Sequence, residues 1–528
     1  MGRARAPRRL PLRAVRRARP GGRARLRAKE PRMAELIPIT INDREHQAPL
    51  GARLIDVITE ITGEEIPRFC YHRDLPVVGS CRMCQVEIEA PAPGNVLRKA
   101  LAISCRTSVQ RGMQVWTQSP AAQNARRGVL EFLLKDHPLD CPICDKAGEC
   151  PLQDYTYREG QSEGRSHDPR RKRRKRVSLG DVIVLDQERC VLCSRCVRFF
   201  PAVEGREQLQ VLDIANRSVI GTFDDRPLTG NYQGNLADIC PVGALTLRKF
   251  RFQARVWNTR PMPSTCTRCS RGCAIQVDAY RGRVVRIRPR YDAEVNKSWM
   301  CDVGRFTFDD WNLPGRLATG IQATAGGATD LGVDGGAQCA GQWLAEAGAA
   351  ALLVGSPCLT QEEGQALLEL ARGLGTDAHF LAPEPGAGDG VLYTGDPAPN
   401  RRGLTDLGLT PMSPEDLRRH LSGAGASLLA GEKILHFLHG LDPGSGDVAV
   451  PATNAGPRSI VIDTHPREGF GLCLPARSAV EKGGTVRNVQ GLDRRLRPVL
   501  PAPPGVPDGV ALLARIATAA ARHGALVG

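Results

Sequence analysis

The chain has 528 residues, 18 of them cysteine, and a formal net charge of +16. Residues 1–32 hold thirteen Arg or Lys and one Glu, a local charge of +12, so only +4 remains for the other residues. The body of the protein is thus too weakly basic for its charge alone to indicate nucleic-acid binding. No apolar run approaches the ~20 residues of a membrane span, so any work at a membrane would be done through a docked partner.

Residues 1–32 are rich in Arg, Ala and Pro and lack the apolar segment of a secretory signal. We predict a disordered basic extension there, or a start site assigned too far upstream, with Met33 as the true first residue. A targeting or anion-binding arm is the alternative. Cysteines that come as C-x2-C clusters in so long a chain favour metal binding in a reducing compartment over disulfides. The length predicts three or more domains.

Residues 33–118 are predicted to fold like a plant-type ferredoxin. A strand at 36–41 and a return strand at 44–50 precede an amphipathic helix from Leu54 to near Gly63, and a cysteine-bearing loop follows. Further strands are predicted at 85–89, 101–104 and 114–117. The loop would wrap a 2Fe-2S cluster, although its C-x10-C spacing departs from the plant-type C-x4-C. The predicted ligands are Cys70, Cys81, Cys84 and Cys105.

Residues 119–157 place a histidine and three cysteines close together. Ser119 and Pro120 are a favourable N-cap and first helical residue, so we predict a helix that runs to about Lys135 and presents the histidine. Three thiolates and one imidazole at this spacing can close on one metal centre, and soft sulfur ligands favour zinc or an iron–sulfur cluster. The predicted ligands are His137, Cys141, Cys144 and Cys150.

Residues 158–180 are polar and contain an unbroken run of Arg and Lys at 170–176. In isolation such a run suggests a nucleic-acid-binding patch or a localisation signal. Because the run lies between two cysteine clusters without stacking aromatic residues around it, we predict a solvated loop.

Residues 181–259 contain C-x2-C-x2-C and a distant Cys-Pro, the bacterial ferredoxin pattern, which indicates a 4Fe-4S cluster. A strand is predicted at 182–185 just before it. A third cysteine two residues on is uncommon for tetrahedral zinc. The predicted ligands are Cys190, Cys193, Cys196 and Cys240.

Residues 260–306 hold the fourth cysteine set. Between its third and fourth cysteines, residues 274–278 and 284–288 alternate in polarity around Arg281-Gly282, which predicts a hairpin. Local spacing is least specific here, and zinc remains an alternative to an iron–sulfur cluster. The predicted ligands are Cys266, Cys269, Cys273 and Cys301.

Residues 307–528 contain no further cysteine set. Short apolar strands alternate with helical patterns such as 361–374, which predicts an α/β domain with a largely parallel sheet. The strands are predicted at 350–354, 427–430 and 460–462. We interpret the cysteines Cys339, Cys358 and Cys473 as core or surface thiols. The glycines between 386 and 390 match no dinucleotide fingerprint, and we find neither a catalytic residue nor a substrate pocket in the sequence.

Five stretches with the predicted ligands carry a family resemblance: 67–72, 79–84, 137–154, 189–198 and 238–244. On these motifs residues 34–310 resemble the large iron–sulfur subunit of bacterial NADH-quinone oxidoreductase (respiratory complex I), known as its G subunit. The resemblance implies a 2Fe-2S cluster in the first set and 4Fe-4S clusters in the second and third. The fourth set matches an additional 4Fe-4S cluster of some bacterial members, usually described as off the main electron path.

Residues 264–306 and the α/β region resemble molybdopterin oxidoreductases such as formate dehydrogenase, and residues 481–490 echo a motif of that superfamily. Two departures argue against a working molybdenum site. Val303 stands where those enzymes have a lysine that links cluster and pterin, and only 222 residues follow Phe306. The expected fold is therefore α+β followed by α/β: a β-grasp ferredoxin-like domain, 4Fe-4S modules, and a truncated, degenerate molybdopterin-oxidoreductase-like domain.

The resemblance implies a role in electron transfer. Electrons from NADH, oxidised by a flavin subunit, would pass through one 2Fe-2S and three 4Fe-4S clusters towards other iron–sulfur subunits and quinone, at the cytoplasmic face of the bacterial inner membrane. This chain would bind neither NADH nor quinone. The alternatives are an NAD-linked, molybdenum-dependent formate dehydrogenase, an iron-only hydrogenase, whose active-site cysteine motifs are absent from 307–528, and a zinc-stabilised nucleic-acid-binding protein.

Overall fold

A computed structural model describes residues 35–92, 96–421, 425–441, 453 and 455–524. The basic extension predicted for residues 1–32 lies outside the described residues. Among the helices that are described, none is long and apolar enough to cross a membrane.

The first domain is a five-stranded sheet with one helix packed on it. Its elements are β1 (Leu36–Ile41), β2 (Arg44–Pro49), α1 (Leu54–Thr62), β3 (Gln85–Ala92), β4 (Val96–Ile103) and β5 (Gln114–Trp116). The sheet order is β2-β1-β5-β3-β4. Leu54, Val57 and Ile58 on one face of α1 are buried, and the left-handed Gly63 ends the helix, as the sequence predicts. β3 and β4 are longer than predicted, because they continue pairing as a hairpin beyond the apolar residues that mark them.

Two helices carry the histidine-containing set. They are α2 (Pro120–Asp136) and α3 (Pro151–Glu159). The Ser119 hydroxyl accepts a hydrogen bond from the Ala122 N–H at 3.2 Å, which confirms the predicted helix start. The helix ends directly before His137.

The third and fourth modules are built from short strands and helices. The third contains β6 (Val177–Ser178), β7 (Ile183–Leu185), α4 (Arg195–Val203), β8 (Gln210–Leu212), β9 (Val219–Gly221), α5 (Asn235–Ile239) and β10 (Leu245–Leu247). The fourth contains β11 (Arg260–Thr265), β12 (Ala274–Tyr280), β13 (Arg283–Pro289), α6 (Asp302–Arg305) and α7 (Phe308–Trp311). The predicted hairpin is confirmed as β12-β13. Its turn residues Arg281 and Gly282 both have positive φ, as in a type I′ turn.

The C-terminal domain is a doubly wound α/β fold. Its elements are β14 (Ile321–Thr324), β15 (Gly327–Asp330), α8 (Gly332–Ala347), β16 (Leu352–Gly355), α9 (Gln361–Leu374), β17 (Ala378–Leu381), α10 (Arg401–Leu407), β18 (Thr410–Met412), α11 (Pro414–Leu421), β19 (Ser427–Ala430), α12 (Ile434–Leu438), β20 (Ser459–Asp463), β21 (Leu472–Pro475), β22 (Gly484–Arg487), β23 (Asp493–Leu496) and α13 (Gly509–Arg522). The large sheet has the order β15-β14-β21-β20-β19-β16-β17-β18, and the six strands β16 to β21 are parallel. The predicted parallel sheet is thus confirmed.

One apolar core runs through the cysteine-bearing modules. It contains a predicted ligand from each of the four sets, namely Cys70, Cys150, Cys196 and Cys301. The C-terminal sheet has separate cores on its two sides. Each set therefore contributes at least one residue to a shared core, although Cys84 and Cys105 lie in the core of the first domain and Cys266 and Cys273 in that of the fourth module.

Candidate metal centres

The first predicted set converges where the loop after α1 meets the ends of β3 and β4. The backbone N–H of Cys70 donates to the sulfur of Cys81 at 3.4 Å. The Cys105 thiol lies within hydrogen-bonding reach of the thiols of Cys70 and Cys84. Three of the four are buried, and Cys81 is partly exposed. The fold thus brings all four predicted residues together.

The second set surrounds a small cavity. Its walls include all four predicted residues, His137, Cys141, Cys144 and Cys150. Burial, helped by the nearby Arg189, lowers the pKa of His137 to about 4. The imidazole is therefore neutral at pH 7, the form that binds a metal. Cys141 is the only exposed cysteine of the four sets.

The third set also lines one cavity, with Cys190, Cys193, Cys196 and Cys240 in its wall. The loop that carries the first three is tightly coiled: Leu192 and Ser194 both adopt left-handed backbone conformations, which non-glycine residues seldom do. Burial raises the pKa of Cys193 to about 11 and that of Cys190 to about 12. Their thiolates therefore require a positive centre beside them.

The fourth set closes around Gly304. A Cβ placed on this glycine would lie 3.1 Å from the sulfur of Cys266 and 3.3 Å from that of Cys301. The Cys266 N–H donates to the Cys273 carbonyl at 2.9 Å, and all four cysteines, Cys269 included, are buried. The sulfurs of Cys266 and Cys301 thus face the same glycine, and Cys273 is joined to Cys266 through the backbone.

Within the described residues no three Cys, His, Asp or Glu side chains lie close enough to hold a single metal ion. The sulfurs of the second and third sets instead line cavities. Sets of three or four thiolates around such a space fit an iron–sulfur cluster, in which different sulfurs bind different iron atoms.

The third set contacts the first through α4, which begins at Arg195, two residues after Cys193. Arg195 donates to the Tyr71 carbonyl at 2.6 Å, and Arg198 donates to the Cys70 carbonyl. Both acceptors belong to the loop of the first set. The two loops are therefore joined by hydrogen bonds across two modules.

The third set also contacts the second. The Cys150 sulfur lies 3.8 Å from the carbonyl of Pro241, the residue after Cys240. Arg189, directly before Cys190, donates to Asp140 at 2.9 Å. The third set therefore contacts both the first and the second, so the spatial arrangement of the sets differs from their order in sequence.

The fourth set packs against both the third and the first. Asn235 in α5 donates to the Met300 carbonyl at 2.8 Å and accepts from its N–H at 3.1 Å. Arg305 pairs with Asp238 at 2.6 Å. The Trp299 ring stacks on His72, with 5.1 Å between ring centroids. The third set thus contacts each of the other three. The fourth set also reaches the second, since Arg286 donates to Glu149, beside Cys150, at 2.8 Å.

The basic run at 170–176 is mainly exposed, as predicted, but its ion pairs also link the second and third modules. Lys175 lies 2.6 Å from Asp140 of the second module and 2.9 Å from Glu188 of the third. The N–H of Arg171 donates to Asp136 at 3.3 Å. The prediction of a merely solvated loop is incomplete, because the partner carboxylates lie far away in sequence.

The motif at 481–490 makes structural contacts within the C-terminal domain and with the fourth module. Lys482 is buried and donates to Glu363 at 2.9 Å, while the Val489 N–H donates to the Ser270 carbonyl at 2.8 Å beside the fourth set. The Val303 N–H donates to the Asn231 side-chain oxygen at 3.0 Å. Valine supplies no cationic side chain at the position where the sequence comparison with molybdopterin oxidoreductases expects a lysine. Of the three unassigned cysteines, Cys358 and Cys473 are buried and Cys339 is partly buried.

Sequence reasoning did not single out Asn235, Arg195, Arg198 or Gly243 as site residues. Arg195 lies within the C-x2-C-x2-C motif, Arg198 lies two residues after its last cysteine, and the glycine follows Cys-Pro-Val. Their proximity to predicted ligands could have marked them as candidate site residues. Only their contacts with other modules show what these residues do.

Family models match the chain in four stretches. They are a 2Fe-2S iron–sulfur cluster binding domain at 34–120, an NADH-ubiquinone oxidoreductase-G iron–sulfur binding region at 126–165, an NADH-quinone oxidoreductase subunit 3 ferredoxin-like domain at 180–246 and a molybdopterin oxidoreductase Fe4S4 domain at 260–312. Fold and sites therefore define an iron–sulfur protein with 2Fe-2S and 4Fe-4S domains, followed by an α/β domain.

Curated relatives refine this class. The NADH-quinone oxidoreductase G subunit of Streptomyces coelicolor is 41% identical over 295 residues, which cover 56% of this chain and 34% of that protein. The NADH-quinone oxidoreductase subunit 3 of Thermus thermophilus is 39% identical over 311 residues, which cover 54% of this chain and 39% of that protein. The mitochondrial NADH dehydrogenase [ubiquinone] iron-sulfur protein 1 of Solanum tuberosum is 38% identical over 291 residues, which cover 55% of this chain and 38% of that protein. The iron–sulfur region of this chain is therefore homologous to that of the large iron–sulfur subunit of NADH-quinone oxidoreductase.

The homology has a limited extent. The matched region spans only about a third to two fifths of the length of these relatives. A chain from the crystal structure of an NAD+-reducing [NiFe]-hydrogenase is 30% identical in sequence. The match covers 41% of this chain and 90% of the hydrogenase chain, and its TM-score of 0.35 indicates poor overall superposition.

Proposed function

We propose that this chain is an electron-relay subunit of an NADH:quinone oxidoreductase and that it carries one 2Fe-2S and three 4Fe-4S clusters. The 2Fe-2S cluster is assigned to the first set, and one 4Fe-4S cluster to each of the second, third and fourth sets, with the ligands predicted from the sequence. The proposed domains follow the predicted boundaries at 33–118, 119–157, 181–259, 260–306 and 307–528.

The contacts that the third set makes with the other three carry this proposal. Its loop contacts the first set through Arg195 and Arg198, the second through Pro241, and the fourth through Asn235. A centre with three neighbours can pass electrons between them. The proposed relay runs from first to third to second, and the fourth set branches from the third.

The two ends of this relay each bring a ligand towards the surface. Cys141 of the second set is exposed, and Cys81 of the first set is partly exposed, as is Cys190 of the third. The exposed ligand of the second set suits transfer to a partner protein, because a terminal centre must approach a partner's centre closely.

The chain's own residues bind the clusters and adjust their potentials. Each cluster, when bound, supplies one-electron redox chemistry. The N–H groups of Leu192 and Gly304 point at the sulfurs of Cys190 and Cys301, at 3.4 and 3.3 Å. Such hydrogen bonds disperse negative charge on sulfur and favour the reduced state. The apolar core excludes water, and His137 changes the net charge at the second set relative to a fourth thiolate.

The relatives' names supply the rest of the proposal. By these names they belong to oxidoreductases of NADH and quinone. We propose that this chain assembles with a flavin- and NADH-binding subunit, a 2Fe-2S subunit and the iron–sulfur subunits that lead to quinone, in a proton-translocating complex. It would lie at the cytoplasmic face of the bacterial inner membrane and reach the membrane only through these partners.

Metal analysis of anaerobically purified protein tests the proposal. We expect about fourteen iron atoms per chain with matching sulfide, neither zinc nor molybdenum, and EPR signals of 2Fe-2S and 4Fe-4S clusters after reduction. Molybdenum would favour the formate dehydrogenase alternative. A colourless protein that contains zinc and binds nucleic acid in a salt-sensitive way would overturn the proposal.

A further inference from the structure

Two arginines of α4 lie between the first and the third set. Arg198 donates to the carbonyl of Cys70 in the first set and, at 3.4 Å, to that of Cys193 in the third, and it also donates to the Pro76 carbonyl. One guanidinium group therefore touches the backbone of a predicted ligand in each of two centres.

Arg195 repeats this arrangement one helical turn earlier. It donates to the Tyr71 carbonyl at 2.6 Å and to the Ile239 carbonyl at 3.1 Å. Tyr71 follows Cys70, and Ile239 precedes Cys240, so the acceptors again belong to the loops of both sets. The two side chains form a double bridge.

Neither Arg195 nor Arg198 donates any of these hydrogen bonds to a carboxylate. The acceptors of both guanidinium groups are backbone carbonyls, together with the Ser194 hydroxyl for Arg198. Arg189, between the second and third sets, differs because it pairs with Asp140 at 2.9 Å and Asp186 at 3.3 Å. Guanidinium groups remain protonated in proteins, so two permanent positive charges are placed between two centres.

We propose that Arg195 and Arg198 are positioning residues that raise the reduction potentials of the first and third clusters together and keep the two clusters at a fixed separation. This inference rests on the proposed function. Reduction adds one negative charge to each cluster, and a positive charge at a partly buried position beside it stabilises that state more than it would in water. Because each arginine touches both loops, the two potentials should move in the same direction.

An EPR-monitored redox titration of the anaerobically purified 528-residue chain tests the bridge. In Arg198→Gln we expect the first and third clusters to lose at least tenfold in the reduced-to-oxidised ratio at a fixed ambient potential, a shift of about 59 mV to lower potential for a one-electron couple. The second and fourth clusters should not move. Arg198→Lys keeps the charge but not the planar fork, so it should recover most of the shift.

A matched control is available beside the second set. Arg255 donates to the carbonyl of Cys144 at 2.7 Å and to that of Pro142, both within the second set. Arg255→Gln should therefore shift only the second cluster. Iron and sulfide content of every variant reports whether its clusters have assembled.

Three outcomes would overturn the bridge: no shift in Arg198→Gln, a shift of one cluster alone, or equal shifts in Arg198→Gln and Arg198→Lys. If Arg198→Gln fails to load its clusters, Arg195→Gln makes the same comparison from the other half of the bridge. A wild-type chain without cluster signals would refute the proposed function itself, whereas a loaded chain with unmoved potentials would refute only the bridge.

Discussion

Gly243 lies directly against the sulfur of Cys144, although the two residues belong to different modules. A Cβ on this glycine would fall far inside van der Waals distance of that sulfur, and Arg189 and Lys146 fill the space on its other sides. The residue after Cys-Pro-Val in the third module therefore forms part of the wall of the second centre.

We expect Gly243→Ala to displace Cys144 and to abolish or weaken the EPR signal of the second cluster, because the added methyl group occupies space that the ligand sulfur needs. Gly128→Ala is the control. This glycine lies in α2 with open space where a Cβ would stand, so alanine should leave all signals intact. An unchanged second signal in Gly243→Ala would contradict this account of the site.

Cys193→Ser should remove about four iron atoms per chain and the signal of the third cluster. Because the third set contacts both the first and the second and the proposed relay runs through it, electrons should then pass from the first cluster to the second far more slowly, even with both still loaded. Rapid-freeze EPR after a reductant pulse measures this. Cys339→Ser changes a thiol outside all four sets and should alter neither iron content nor rates; normal transfer in Cys193→Ser would contradict the proposed relay.

Asn235→Ala should destabilise the junction of the third and fourth modules. The side chain is fully buried and satisfies both the N–H and the carbonyl of Met300, so its removal leaves buried polar groups without partners. We expect a loss of about 1–3 kcal/mol in the free energy of unfolding, measured by urea denaturation under anaerobic conditions. Asn216→Ala on the exposed surface should be neutral; similar losses in the two variants would refute a specific role.

Lys175→Glu should weaken the link between the second and third modules. Lys175 faces Asp140, Glu188 and Asp186, so a glutamate there would add repulsion to the loss of the ion pairs. Since Lys175 is exposed, we expect a loss of only ~1 kcal/mol in the free energy that holds the two modules together. Faster tryptic cleavage within 158–180 is the measurement. Lys172→Glu makes the same charge change at an exposed site, and equal cleavage of both variants would show that net charge alone matters.

Lys482→Met should destabilise the C-terminal domain, because Glu363 and Glu432 would be left buried without their cation. Removing one partner of a buried pair typically costs about 3–5 kcal/mol, which thermal unfolding would detect. Adding Glu363→Gln should recover part of this loss. The iron–sulfur signals should be unaffected, and their loss would mean that this domain is needed to assemble the clusters.

Local sequence was sufficient wherever neighbours along the chain decide the structure. The capping residues Thr360 and Glu363 define the start of α9, and Gly375 with positive φ ends it, so the predicted helix at 361–374 agrees with the structure. The turn at Arg281-Gly282 and the cap at Ser119 are equally local. The cysteine clusters of the four predicted ligand sets were recognisable for the same reason, since they recur at short spacings typical of metal binding, although three sets also include a cysteine 20 or more residues away.

The tertiary structure alone decided which sets are neighbours. In sequence the second set separates the first from the third, yet Arg195 and Arg198 join the first and third directly, and Trp299 brings the fourth against His72 of the first. These contacts depend on how modules with short strands and helices pack into one core, and no periodicity or spacing encodes that packing. The amino-acid sequence thus predicted the kinds of centre, whereas the fold determined which of the predicted sets lie beside one another.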